Sequence, residues 1–216
     1  MFNLSDRHAL TSLMAIALLL SGCGTTKPSR FYTLSPVSET QSTAAVSAQT
    51  EYGTIGVGPV NLPQYLDRPQ IVTRISPNRF EFAEFDRWGG ALKDDFTRTL
   101  AENLVHLIPA ERIATHPWRR ATAIDYQIPV EVIRFDGAPG KDIILNVEWQ
   151  ILSNGGDTQL LSKRSTFKEA VAGTSYDDMV AAQSRAVAGL AQEIADALMR
   201  VKGTLSRPQA SSVGDR

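Results

Sequence analysis

The chain has almost no cysteine: one residue, Cys23, in 216. With that thiol committed elsewhere (see below), no intramolecular disulfide can form, and the fold must hold by its core. Histidine is also scarce. His8, His106 and His116 are the only three, and no His-x-x-x-His pair exists. A zinc site is therefore not expected, because neither thiolates nor paired imidazoles are at hand. Neither sign of charge is in excess: 22 Lys and Arg stand against 23 Asp and Glu, a formal net charge of −1. That balance argues against nucleic acid as a partner. Past the first 22 residues, no apolar run approaches the roughly 20 residues that span a bilayer.

The common catalytic motifs are missing too. Gly173-Thr174-Ser175-Tyr176-Asp177 lacks the second glycine of a nucleophile elbow, so Ser175 reads as a helix cap. Gly53, Gly56 and Gly58 lack the third glycine of a dinucleotide loop, and no helix follows them. They read instead as a strand that another backbone approaches closely. The acidic pairs Asp94-Asp95 and Asp177-Asp178 occupy adjacent helical positions, diverge, and should be solvated. No enzyme is expected and no cofactor. A periplasmic hydrolase would need a convergent polar pocket that the sequence does not advertise.

What the chain does have is concentrated first at its N-terminus. A polar start with Arg7 leads to an apolar stretch from Ala9 to Leu20, then Leu20-Ser21-Gly22-Cys23. The run is too short to be a transmembrane anchor and right for a signal core. The last four residues match a lipobox. The small Gly22 precedes the cleaved bond, and the Cys23 thiol is the nucleophile that takes up diacylglycerol. Residues 1–22 are thus expected to be removed, leaving 194 residues that begin at a lipidated Cys23. Burial is worth about 0.8 kcal/mol per CH₂, so two or three acyl chains make a permanent anchor. Gly24 rather than Asp follows the cysteine, which favours the outer membrane, facing the periplasm.

The remainder reads as one α+β domain, a mostly antiparallel sheet with two main helices packed on it. Four parts are expected: 1–22, the signal; 23–51, the lipidated N-terminus with a short strand (Phe31 to Leu34) and a Ser/Thr/Ala/Gln-rich flexible loop; 52–203, the body; and 204–216, a disordered tail. The flexible stretch after Cys23 would set how far the body reaches. Strands are expected around Ile55 and Val57, over Gln70–Ile75 and Arg79–Phe85 about the turn Ser76-Pro77-Asn78, and in three runs between Ile124 and Ala172. Phe80 and Phe82 share one face. Pro129 cannot donate to a ladder, so its side should be a sheet edge, and the phase break at Ile133 predicts a bulge. A first helix is expected over Arg87–Leu107, capped by Asp86, with Leu92, Phe96, Leu100 and Leu104 as its apolar stripe. A second begins near Ser175 with Asp178 completing a capping box, and Gly203 as its C′ residue.

Two segments follow neither period. Leu62 to Gln70 mixes apolar, aromatic and charged residues between prolines. It reads either as a loop with Tyr65 and Leu66 tucked into the core or as a partner-docking loop anchored by Tyr65 and Arg68. Phe85-Asp86-Arg87-Trp88 enters the first helix, with Trp88 favoured as a core residue.

These segments carry a resemblance. Phe31-Tyr32-Thr33-Leu34, then Tyr65-Leu66-Asp67-Arg68-Pro69-Gln70-Ile71-Val72, then Arg87-Trp88, and Leu100-Ala101-Glu102-Asn103-Leu104 fall in the order and spacing of the PqiC-type lipoproteins. These are the auxiliary lipoproteins of ABC-type MCE transport systems. The family often has Ala-Glu-Pro-Leu after the tryptophan, where this chain has Gly89-Gly90-Ala91-Leu92. The resemblance implies a periplasm-facing outer-membrane lipoprotein in an intermembrane lipid transport system, docking MCE-domain protein and inner-membrane transporter components. It also implies Tyr65, Leu66, Asp67, Arg68, Gln70 and Trp88 as motif positions, for partner binding or for holding the fold. A phospholipid and a second copy of the chain are further partners it allows. The alternative is a structural, self-associating envelope lipoprotein without a transport role.

Overall fold

A computed structural model describes residues 27–36, 52–119 and 121–205. The signal segment with Cys23, the loop after Pro36 and the tail beyond Leu205 lie outside the described residues, as do the expectations that fall on them. The chain forms two sheets and two long helices. In order these are β1 (Arg30–Tyr32), β2 (Tyr52–Asn61), β3 (Gln70–Ser76), β4 (Arg79–Trp88), α1 (Leu92–Leu107), β5 (Ala110–Thr115), β6 (Tyr126–Asp136), β7 (Ile143–Ser153), β8 (Thr158–Glu169) and α2 (Tyr176–Leu205). The small sheet has the order β1-β4-β3, and the large one β5-β2-β6-β7-β8. Strands β6, β7 and β8 form an antiparallel meander, as do β3 and β4, whereas β2 pairs in parallel with both β5 and β6.

Both helices cover one face of the large sheet. Helix α1 packs on β2 and β5, α2 on β7 and β8, and the two pack on each other. The layer between them is apolar because every expected stripe points inward. Leu92, Phe96, Leu100 and Leu104 of α1 are buried, as are Val180, Val187, Leu190, Ile194 and Leu198 of α2. They meet Ile128, Val130, Val132, Leu145, Val147 and Trp149 of the meander. Trp149 is fully enclosed and donates its indole N–H to Ser165 Oγ at 3.1 Å, which removes the cost of burying it.

Several boundaries differ from the sequence expectation, each for a tertiary reason. Arg87 and Trp88 are not helical: β4 runs through them, because Phe31 and Tyr32 pair with them in parallel. Gly89 and Gly90 then break the chain, so α1 begins at Leu92 and Asp86 caps nothing. Asp94 and Asp95 supply the acidic first turn that an N-terminus favours. Only Asp94 is solvated, since Asp95 accepts from the Leu34 N–H at 2.6 Å.

Pro129 is not at an edge. It lies inside the large sheet opposite Gly58-Pro59, where the β2–β6 register shifts between Val57 and Val60. An interior irregularity thus absorbs the missing donor. The bulge expected at Ile133 is present between Val132 and Arg134. The glycines of β2 are approached chiefly by side chains, not by another backbone. A Cβ at Gly53 would sit 2.1 Å from Asp125 Oδ2, and one at Gly56 would sit 3.0 Å from Trp118 and Ile124.

Ser175 and Asp178 form the expected capping box: Asp178 N–H donates to Ser175 Oγ and Ser175 N–H to Asp178 Oδ2. Helix α2 runs past Gly203 to Leu205, however. A single exposed glycine costs about 1 kcal/mol in a helix, too little to end one whose preceding turns, through Leu198, are buried against the sheet.

Residues 30–34 belong to the body rather than to a tether. β1 closes the small sheet, and Leu34 is buried over α1.

Candidate functional site

The segment after β2 folds into a tight turn. Pro63 O accepts from Leu66 N–H, Gln64 O from Asp67 N–H, and Leu66 O from Arg68 N–H. Burial of Leu66 pins the turn to the body. Its Tyr65 and Arg68 side chains lie over the outer face of the small sheet, where strand alternation presents Phe80 and Phe82 from β4 and Arg74 from β3. Tyr65 stacks on Phe80 with ring centroids 4.5 Å apart and planes 16° from parallel. Arg68 places its guanidinium 3.9 Å above the Phe82 ring and donates its Nε–H to Tyr65 O. The Arg74 guanidinium lies 4.2 Å over Phe80. The result is a row of arginine and aromatic groups. Phe82 at its end stays 49% exposed.

Beneath this row is a fully buried carboxylate. Asp136 Oδ1 accepts from Arg74 Nε at 2.7 Å and Arg134 Nε at 2.8 Å. Its Oδ2 accepts from Arg74 Nη2 at 2.8 Å and Tyr65 Oη at 2.7 Å. Burial pushes the Asp136 pKa upward, but the hydrogen bonds from Arg74, Tyr65 and Arg134 outweigh it and hold the carboxyl below its ordinary value. Burial and the same bond to Asp136 push the Tyr65 phenol up to about 12. A second such unit lies at the far edge of the small sheet. Asp86 accepts from Arg30 at 2.7 Å and from Tyr32 Oη at 2.7 Å, and the Tyr32 phenol is likewise raised to about 12 by burial and by Asp86.

Both phenols support the fold in their neutral form. Their contribution is complete below about pH 10 and is lost as the pH rises through about 12. Denaturation midpoints followed from about pH 9 upward will therefore fall, and they will fall less steeply for Tyr65→Phe. Parallel profiles for the two proteins would contradict the Tyr65–Asp136 linkage.

The motif positions thus separate. Tyr65, Leu66 and Arg68 are brought together, with Arg68 half-buried and Tyr65 serving both the loop and Asp136. Asp67 is exposed beside Lys93, lining a shallow cavity of about 280 Å³ with Leu62, Gln64 and Leu92. Gln70 is half-buried and opposite Arg87 in the ladder. Trp88 is elsewhere, buried in the core, its N–H bonded to Pro69 O. Sequence reasoning missed Asp136, Arg74 and Arg134. The available signal was an aspartate ending the alternating strand β6, directly after the buried Phe135. Among the described residues, no group of three or more His, Cys, Asp or Glu could hold a metal ion, and no helix is long and apolar enough to cross a membrane.

A half-buried arginine over a half-exposed phenylalanine, beside further aromatic rings, is the composition of protein interfaces. Comparison with known proteins bears on which interface. Residues 32–195 match the model of a family described as the ABC-type transport auxiliary lipoprotein component. No curated protein matches the chain. Among solved structures, an uncharacterized protein superposes with a TM-score of 0.64 at 17% identity, over 80% of this chain and 99% of that one. A protein from Xanthomonas campestris superposes with a TM-score of 0.63 at 14% identity, over 83% and 100%. At these identities the likeness is one of fold.

Proposed function

Because the chain belongs to the family of ABC-type transport auxiliary lipoprotein components, we propose that it is the outer-membrane lipoprotein of an MCE-type intermembrane lipid transport system. In this reading it is a non-enzymatic docking subunit. Cys23 carries the lipid, Gly24 directs the protein to the outer membrane, and the body faces the periplasm. Its partner is the MCE-domain protein that, with inner-membrane components, carries phospholipid between the membranes. The observation that carries the docking role is the Arg68–Phe82 end of the aromatic–arginine row, where a half-exposed phenylalanine lies under a guanidinium on an otherwise rigid turn.

The geometry also dictates the test. Tyr65 is unsuitable, because its removal would disturb the buried Asp136 cluster as well as the surface. Arg68→Ala combined with Phe82→Ser changes the exposed end and leaves that cluster intact. Full-length lipoprotein in non-ionic detergent should capture the purified MCE-domain protein. The double variant should bind roughly thirtyfold more weakly, the loss of about one 2 kcal/mol hot spot, with its melting temperature nearly unchanged. Equal capture by a folded double variant would remove this face as the docking site. No capture by either protein would remove the partner.

A further inference from the structure

The arginines of the Asp136 cluster open on their other side into a groove of about 340 Å³ that the docking face does not use. Its walls are the ends of β3 and β6, and its floor is the Gly137–Asp142 loop. Arg74, Arg134 and Lys141 all line it. The acidic groups around it are two. Asp142 is engaged by Lys168 at 2.7 Å. Asp136 is completely buried, and its four accepted hydrogen bonds leave it nothing to offer a ligand. One carboxylate therefore serves two guanidinium groups, and Lys141 adds a third cation, so the groove carries two positive charges in excess.

These charges also retain unused donors. Arg134 gives only its Nε–H to Asp136, and its two terminal nitrogens have no hydrogen-bond partner among the described residues. The Lys141 ammonium has none there either, while Arg74 uses all three of its nitrogens, the third donating to Pro77 O. Arg134 and Lys141 face solvent, and a bound anion would supply the counter-charge that the protein itself does not. The floor is rigid besides. Gly137 O accepts the Arg74 N–H at 2.8 Å, and a Cβ at Gly137 would lie 2.4 Å from Asp142 O, so no side chain can intrude. A guanidinium held by its Nε–H, with both terminal NH₂ groups free, beside an ammonium matches the oxygens of a phosphate, which arginine binds in bidentate fashion.

We infer that the groove between β3, β6 and the Gly137–Asp142 loop binds a phosphate group through Arg134 and Lys141. The phosphate can be that of a phospholipid head or free phosphate, and the experiment separates them. Full-length protein in non-ionic detergent is titrated with inorganic phosphate, with dihexanoyl phosphatidylglycerol and with the uncharged dihexanoylglycerol. The first two, or one of them, will bind and the third will not. Tighter binding of the phosphatidylglycerol assigns the site to a lipid head, and equal or tighter binding of inorganic phosphate assigns it to the free ion. Lys141→Gln, an exposed position, should weaken binding about tenfold without changing the melting temperature. Arg134→Lys, which keeps the charge and loses the fork, should weaken it as well. The inference is overturned if neither phosphate probe binds, if dihexanoylglycerol binds equally, or if both folded variants bind as tightly as the parent. None of these outcomes depends on capture of the MCE-domain protein, which stands or falls by its own assay.

Discussion

Replacing Asp136 with asparagine will destabilise the protein by about 3 kcal/mol, the cost of removing one partner from a buried ion pair. The side chain keeps its shape, so the loss is that of charge. Arg74 and Arg134 would then face each other across a neutral amide, and the Tyr65 phenol would lose its anionic acceptor. For a domain of this size, that corresponds to a fall in melting temperature of roughly 10 °C. The pH dependence identifies the cause. The Asp136 carboxyl lies below its ordinary value in the fold, so its contribution is whole above about pH 4 and disappears as the pH drops through the folded value. Wild-type stability should show that acid limb, and Asp136→Asn should lack it. A variant as stable as the parent at neutral pH would mean that the two arginines are adequately solvated without the carboxylate.

Trp88→Ala will cost more, about 4 kcal/mol and a comparable or larger drop in melting temperature. Trp88 is buried where β4 meets β1, opposite Tyr32 in the parallel ladder. Truncating it leaves a cavity where the small sheet joins the core. Any loss of partner capture in this variant should follow the unfolded fraction, measured by chemical denaturation under the assay conditions. A Trp88→Ala protein of normal stability that failed to capture its partner would instead place this residue at the interface. Of the motif positions, Trp88 is thus expected to act in the core and Arg68 at the surface.

How far the fold could be read from the residues depends on whether local and long-range forces agreed. The stripe Leu92-Phe96-Leu100-Leu104, the Ser76-Pro77-Asn78 turn and the Ser175–Asp178 box are local patterns with no competing demand, and the structure has all three. Arg87 and Trp88 were misassigned because a strand some 55 residues earlier claims them, which no window along the chain can reveal. Pro129 misled in the opposite sense. A missing donor normally marks an edge, but here a second proline-bearing irregularity on β2 faces it. The candidate site was legible only in part. Tyr65 and Arg68 stood out by composition, and Phe80 and Phe82 by alternation. Asp136 lies 71 residues from Tyr65, so the buried charge that organises them became visible only with the fold.

The short N-terminal strand has a mechanical consequence. Tyr32 is fixed in the small sheet, Leu34 N–H is held by Asp95, and Ser35 N–H by Ser184 Oγ at 3.1 Å. The stretch between Cys23 and β1, and not the segment after Pro36, is therefore the one that sets the reach of the body. With lipid on Cys23, only Gly24 to Ser29 separate the anchor from β1. Fully extended, that interval spans about 25 Å. The body would then ride close against its bilayer, unable to shuttle cargo across a wide compartment, and would work as a fixed mooring post to which the far-side apparatus must extend.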